Sequence, residues 1–329
     1  MPISCYIHGF GAYAPERVLT NDELAAMVET SDEWITTRTG IKRRHILADG
    51  EQLSDAGAHA AREALAEAGL APSAVTHLLF GTCTPDCLCP STACITAGKL
   101  GMAGIAAYDF NAACSSFLYG LLQCRALLVA EPDACILLVC GEGVSRRLNW
   151  RDRSTCVLFG DGAGAAIFLK RRKGALAGLE DAICTSDGKL QQLIKIGGGS
   201  ARRYEPGEPV DEEFFVSMQG REVFKHAVRN MAQVCKLLLA RNGLSAEDVQ
   251  LLVPHQANMR IIEAVSSRLD FPEERIFTNV AEYGNTSAAS VPLALYDARK
   301  QGRMPSGTRV LMTTFGAGLT WAAGLLRVE

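Results

Sequence analysis

The chain repeats itself. Shifted by 174 positions without gaps, it aligns Leu65 with Leu239, Ala66 with Ala240, Gly69 with Gly243, Leu70 with Leu244, Val75 with Val249 and Leu78 with Leu252. The same register continues through Asn111/Asn285, Ser116/Ser290, Leu121/Leu295, Arg125/Arg299 and Leu137/Leu311. The identities are few, but a single register matches helix end to helix end and strand to strand. Ser54 to Gly69 places small and apolar residues at three- and four-residue steps before a glycine stop, and short apolar Val75 to Phe80 follows. The order returns as a helix-like stretch ending near Asn242-Gly243, then Val249 to Val253. Short apolar strands alternating with amphipathic helices predict sheets covered by helices on their faces. The expectation is two similar α/β halves, residues 1–173 and 174–329, joined at the charged segment Lys170 to Gly178. Ligands of such sheets bind beyond the carboxyl ends of strands.

Composition narrows the class. With 33 Lys+Arg against 36 Asp+Glu the formal charge is −3, so no global basicity points to nucleic acid or an anionic membrane. Apolar residues at 48% and charged residues at 21% describe an ordinary soluble globular chain. Twelve cysteines in 329 residues are too sparse for a stapled secreted scaffold. The opening MPISCYIHGFGAY lacks a signal peptide's layout, and Arg125 or the Lys170–Lys173 run interrupts every greasy stretch before the ~20 residues a spanning helix needs. A cytoplasmic protein with reduced thiols and no membrane segment is expected. The stretch from Gly197 to Pro209 reads as an exposed loop.

Three stretches could carry chemistry. Asp109 to Phe117 follows apolar Ile105 to Tyr108 and leads into helix-like Leu118 to Val129. That puts Cys114 near a strand-to-helix junction, where free N–H groups and the helix dipole favour a thiolate. Buried structural thiols are just as common. His255 follows the strand-like Leu251 to Val253, and Asn285 lies in Tyr283 to Ser290, by itself ordinary turn chemistry. The duplication links them. Asn285 pairs with Asn111, three residues before Cys114, and His255 pairs with Gly81 directly after the matching strand. Packed about a pseudo-twofold axis, the three would share one cleft. Thiol, imidazole and amide supply a nucleophile and neutral donors, the needs of acyl transfer through a thioester.

The strings DEWITTRTGIKRRHI, AACSSF, DRSTCVLFGDGAGAA, VPHQANMRII, YGNTSAAS and FGAGLTWAAGLL resemble those of β-ketoacyl-[acyl-carrier-protein] synthase III, in that family's order and across essentially the whole chain. The resemblance implies a thiolase-like duplicated five-layer αβαβα sandwich. It also implies decarboxylative condensation of acetyl-CoA, or another short acyl-CoA, with malonyl-acyl carrier protein, starting type II fatty-acid synthesis in the cytoplasm. A related acyltransferase or condensing enzyme of secondary metabolism is the alternative. The family's nucleophile falls on Cys114, and its His and Asn fall on His255 and Asn285. Its CoA contacts fall on Trp34, Arg38, Arg153 and Asn258. Its basic carrier-docking patch falls on Lys225, Arg260 and Arg268. The oxyanion turn and acyl pocket fall on Phe315, Gly316, Ala317 and Cys89, the last where many relatives place a Phe that caps the partner's pocket. A homodimer, and no cofactor beyond the thioester substrates, are implied likewise.

Two other motifs lead elsewhere. Cys83, Cys87, Cys89 and Cys94 do not form a paired C-x₂-C ribbon and lack a nearby His, so no metal is expected there. Gly160 to Gly164 is spaced G-x-G-x-G and runs into strand-like Ala165 to Leu169, which fails the strand-then-helix requirement of a dinucleotide site.

Overall fold

The computed structural model describes residues 4–199 and 207–329, so residues 200–206 of the Gly/Pro-rich stretch lie outside the described residues. Among the described residues the main sheet has nine strands. They are β1 (Tyr6–Tyr13), β2 (His77–Gly81), β3 (Ala106–Phe110), β4 (Ile136–Glu142), β5 (Gly162–Leu169), β6 (Ala177–Ser186), β7 (Leu251–Pro254), β8 (Arg309–Gly316) and β9 (Thr320–Val328). Their spatial order is β7-β8-β9-β6-β1-β5-β4-β2-β3.

The repeat is visible in this order. Reading outward from the centre, β6-β9-β8-β7 repeats β1-β5-β4-β2, each series ending in a parallel pair, β7/β8 and β2/β4, after two antiparallel ones, and β3 adds a further parallel strand beside β2. Leu78 faces Leu137 across the first parallel pair, and Leu252 faces Leu311 across the second. These four leucines are the residues that the 174-position shift superimposes. The expected join is also no loose linker. Ala177 and Gly178, at its end, already belong to β6 and pair with Ile7 and Tyr6 of β1.

Helices cover the sheet in three layers. The nine strands and the flanking helices α1 (Asp32–Thr39), α2 (Leu53–Ala68), α3 (Thr92–Lys99), α4 (Ser116–Ala130), α5 (Gly220–Arg241), α6 (Met259–Arg268) and α7 (Ser290–Lys300) account for most of the core. Helices α2 and α3 pack on the N-terminal half, and α5 and α6 on the C-terminal half. Between the half-sheets lie α4 and α7, each touching strands of both halves. This is the five-layer αβαβα arrangement. Helix α2 turns an alanine stripe, Ala56, Ala60, Ala61 and Ala64, inward, and Gly9 and Gly11 of β1 let its backbone approach where a Cβ would strike the carbonyls of Ala64 and Ala60. Both α2 and its counterpart α5 stop at left-handed glycines, Gly69 at φ 64° and Gly243 at φ 66°.

The middle helix explains one compositional oddity. Ala113–Ala130 is long and apolar enough to cross a bilayer by composition, and half of it is buried. A helix packed between two sheets has no polar face to offer, so apolar residues all round are what its position demands. Phe117, Leu118, Leu121 and Leu128 are fully buried, each stabilising the fold by roughly 1.5–3 kcal/mol.

Candidate active site

The two halves build matching turns at the start of α4 and α7. After β3 the chain makes a 3-10 turn at Ala113–Ser115, and before α7 it makes another at Ser287–Ala289. Ala113 and Ser287, related by the repeat, are both left-handed, at φ 48° and 50°. Each turn is pinned by an asparagine: Asn111 Oδ1 accepts from Ala113 N, and Asn285 Oδ1 accepts from Ser287 N, both at 2.9 Å. This engages the Asn285 oxygen and turns its Nδ2 donor to the other side. Cys114 rides on the first turn.

His255 stands one residue past β7, its N–H donating to Thr313 O at 2.8 Å. The ring Nδ1 is 2.9 Å from Ser290 Oγ, which accepts from Gln256 N at 2.7 Å. Accepting there leaves the Ser290 hydroxyl its proton to donate to Nδ1. With that donation the ring's own hydrogen sits on Nε2. Burial pulls the His255 pKa down to about 4, so the imidazole is neutral near pH 7.

A cavity of about 630 Å³ brings Cys114, His255 and Asn285 together. Phe315, Ala317 and Gly318 also line it. Gly316 is set behind the sulfur, where a Cβ would lie 2.8 Å from Cys114 N, so the Phe315–Gly318 segment sits directly against that amide. The Cys114 thiol donates to Ser287 Oγ at 3.3 Å. Here the structure differs from the expectation of a thiolate. Burial, with a smaller contribution from the charge of Glu142, lifts the Cys114 pKa from 9.0 to about 12. That is roughly 4 kcal/mol against the anion, whereas a helix N-terminus offers at most ~2 kcal/mol in its favour. The resting sulfur is a thiol.

Arg38, Asn258 and Arg260 also line the cavity. Trp34, half-buried on α1, has the guanidinium groups of Arg38 and Arg153 over its ring, each 4.8 Å from a ring centroid. Arg153 is tied back by Nη1 to Glu29 O at 2.7 Å. Asn258 caps α6, its side chain accepting from Arg260 N. Arg260 lies 6.0 Å from the Phe224 ring, while Lys225 pairs with Glu222 at 2.7 Å and Arg268 is exposed in the last turn of α6. Cys89 is exposed, next to Leu88 at 84% exposure. The cysteines near it turn to separate acceptors: Cys83 to Glu142, Cys87 to Pro90 O, Cys94 to Ala107 O. Gly162 to Leu169 is strand, and Asp161 is buried, accepting from Leu47 N and Ser145 N.

Sequence reasoning passed over Glu142, Ser287 and Ser290. A single acid closing the apolar run Ile136 to Gly141 was the available signal for Glu142, because a charge there is buried or functional.

Two family models match the chain: 3-oxoacyl-[acyl-carrier-protein (ACP)] synthase III over residues 108–188 and its C-terminal model over residues 239–328. The β-ketoacyl-[acyl-carrier-protein] synthase III of Nitratidesulfovibrio vulgaris (strain Miyazaki F) is 59% identical over 324 residues, covering 98% of each chain. The relative of the same name from Oleidesulfovibrio alaskensis is 57% identical over 329 residues, 99% of this chain and 100% of its own. The crystal structure of 3-oxoacyl-[acyl-carrier-protein] synthase III from Aquifex aeolicus VF5 matches with a TM-score of 0.91 at 42% identity, covering 98% of this chain and 99% of that one.

Proposed function

Because the chain belongs to the 3-oxoacyl-[acyl-carrier-protein] synthase III family, and is therefore an acyltransferase, we propose that it condenses acetyl-CoA or another short acyl-CoA with malonyl-acyl carrier protein. The products are a 3-oxoacyl carrier protein, CoA and CO₂, the opening step of fatty-acid synthesis. The observation that carries this reading is the meeting of Cys114, His255 and Asn285 on one cavity from three separate elements.

In the first stage Cys114 attacks the acyl thioester and CoA departs. The amides of Cys114 and of the Phe315–Gly318 turn hold the oxyanion, a role supported by the direct packing of Gly316 on Cys114 N. In the second stage malonyl loses CO₂. His255 Nε2–H and Asn285 Nδ2 donate to the enolate oxygen, and the enolate carbon attacks the acyl-Cys114 carbonyl. A neutral imidazole suits this stage, since it donates a hydrogen bond without releasing a proton that would quench the carbanion. No cofactor is needed beyond the two thioesters.

Trp34, Arg38, Arg153 and Asn258 hold the CoA nucleotide at the mouth, a reading supported by the two guanidinium groups over the Trp34 ring and by Arg38 and Asn258 on the cavity wall. Lys225, Arg260 and Arg268 form a local basic docking patch for the carrier protein, in a chain of net charge −3. Cys89 borders the acyl pocket of a second copy in a homodimer, a placement supported by its exposure beside Leu88. The halves 1–173 and 174–329 are the units of the duplication, and twelve unpaired thiols suit a reducing cytoplasm.

The test uses radiolabelled acyl-CoA with and without malonyl-acyl carrier protein. A labelled enzyme that releases CO₂ only when malonyl-acyl carrier protein is added is expected. Cys114→Ser should abolish labelling. The double variant His255→Ala/Asn285→Ala should still be labelled but lose decarboxylation, and full decarboxylation by it would refute the assignment.

A further inference from the structure

The attack on the acyl thioester requires a base that the cavity wall does not provide. The sulfur is a thiol pushed up to about 12 by burial, and no carboxylate lines the cavity among the described residues. His255 is too weak a base, with its pKa near 4. One carboxylate is nonetheless within reach behind Ser287. The Ser287 hydroxyl, which accepts from the Cys114 thiol, donates in turn to Glu142 Oε1 at 3.3 Å.

Glu142 is fully buried at the end of β4. It accepts from Thr82 Oγ1 at 3.0 Å, Thr84 Oγ1 at 2.5 Å, Cys83 N at 3.1 Å and Cys83 Sγ at 3.2 Å, besides Ser287. Donors on every side describe an ionised carboxylate at rest. No Lys, Arg or His forms an ion pair with it among the described residues, and its titratable neighbours are the thiols of Cys83, Cys114 and Cys140. Burial raises its carboxyl above the ordinary range and makes it a better base than a solvated one.

We propose that Glu142 takes the Cys114 proton through the Ser287 hydroxyl during acylation, stores it while the enzyme is acylated, and returns it when condensation frees the sulfur. The proposal rests on the acyl-cysteine reading above. Its charge balance favours it: carboxylate plus thiol becomes carboxylic acid plus thiolate, so the proton transfer adds no second negative charge to the buried pocket, and the one charge present leaves with CoA and is restored by the malonyl carboxylate that is lost as CO₂. In acylation the Cys114 S–H and the Ser287 O–H break while new O–H bonds form on Ser287 and Glu142. The Cys114 sulfur bonds to the acyl carbon, and CoA leaves as a thiolate that is protonated by water. In condensation CO₂ departs, the new carbon–carbon bond forms and the sulfur–acyl bond breaks. The Cys114 thiolate then recovers the stored proton by the same route. Water supplies one proton per turnover, matching the net reaction.

The experiment is single-turnover acyl-enzyme formation from acetyl-CoA, followed by mass spectrometry against pH. It compares the full chain with Ser287→Ala, Ser287→Gly and Glu142→Gln. The Ser287→Gly variant suits φ 50° and removes the hydroxyl without backbone strain. The unsubstituted chain should give a flat profile above neutral pH. Loss of the relay should slow acylation roughly 10²-fold at pH 7, with recovery of about tenfold per pH unit as the thiol itself ionises. A profile in both Ser287 variants that keeps the parent shape overturns the relay, even if Glu142→Gln fails to fold. Slowing in Ser287→Ala but not in Ser287→Gly also overturns it, since strain would then be the cause. If the unsubstituted chain forms no acyl-enzyme, the acyl-cysteine reading itself falls and the relay with it.

Discussion

Replacing Ser290 by Ala separates the two half-reactions. The Ser290 hydroxyl serves two buried partners, His255 Nδ1 and Gln256 N. Without it the Gln256 N–H has no acceptor, at about 1–3 kcal/mol, and the bond to His255 adds about 1 kcal/mol, so stability should fall by about 2–4 kcal/mol. At roughly 2.1 cal/mol/K per residue the unfolding entropy of a chain this size is ~0.7 kcal/mol/K, which converts the loss into a Tm drop of about 3–6 °C. The chemical consequence is more specific. Losing the donor to Nδ1 removes the preference for hydrogen on Nε2, and about 1–1.4 kcal/mol of lost preference slows decarboxylation about 5- to 10-fold. Acylation of Cys114 does not use that hydrogen and should change less than twofold. CO₂ release from malonyl-acyl carrier protein and single-turnover acylation, measured on one preparation below its melting range, give the two numbers. Equal losses in both steps would mean that Ser290 merely supports the fold, and unchanged decarboxylation would remove the tautomer argument altogether.

Stability should depend on His255 below neutrality. Its pKa is near 4 folded against 6.5 unfolded, so the unfolded chain binds more protons between those values and stability rises with pH across the window. About 3 kcal/mol from this residue is lost on acidifying to pH 4. His255→Gln should flatten that limb in urea titrations at pH 4.5, 5.5 and 7, whereas the buried Glu142 and Asp161, shifted upward, act in the opposite direction in both proteins. An identical acid limb would falsify the assignment. Gly316→Ala puts a Cβ 2.8 Å from Cys114 N and should lower stability by about 1–3 kcal/mol while slowing acylation more than it weakens CoA binding; a normal acylation rate would show that this amide can move freely. Trp34→Ala should raise KM for acetyl-CoA by roughly 3- to 10-fold, the equivalent of about 0.7–1.4 kcal/mol of lost stacking, yet leave the use of acetyl-pantetheine, which lacks the nucleotide, unaffected. Equal changes for both thioesters would place the ring elsewhere in the mechanism.

Much of the site was legible because the repeat is geometric. Cys114 and Asn285 could be paired from the sequence since the same turn begins α4 and α7, down to matching φ values at Ala113 and Ser287. Helix ends were legible at Gly69 and Gly243, where only a left-handed residue fits. Protonation was not, because the charge state of Cys114 depends on how deeply the sheets bury it, and burial outweighs the local dipole. Glu142 stayed hidden for a related reason. Its partners come from Thr82 to Thr84 and from Ser287, two segments that the shift does not relate to it. Residues that a repeat brings together can be found by counting, whereas those recruited across it need coordinates.

The exchange of helices between the halves has a mechanical consequence. Since α4 and α7 each grip strands from both halves, and β1 pairs with β6 at the centre of the strand order, the two halves are clamped together across the described residues. Thiol and imidazole are fixed to a common chassis. A clamped body of this kind favours lengthwise passage of the acyl chain and pantetheine arm along the cavity over entry by a parting of the halves.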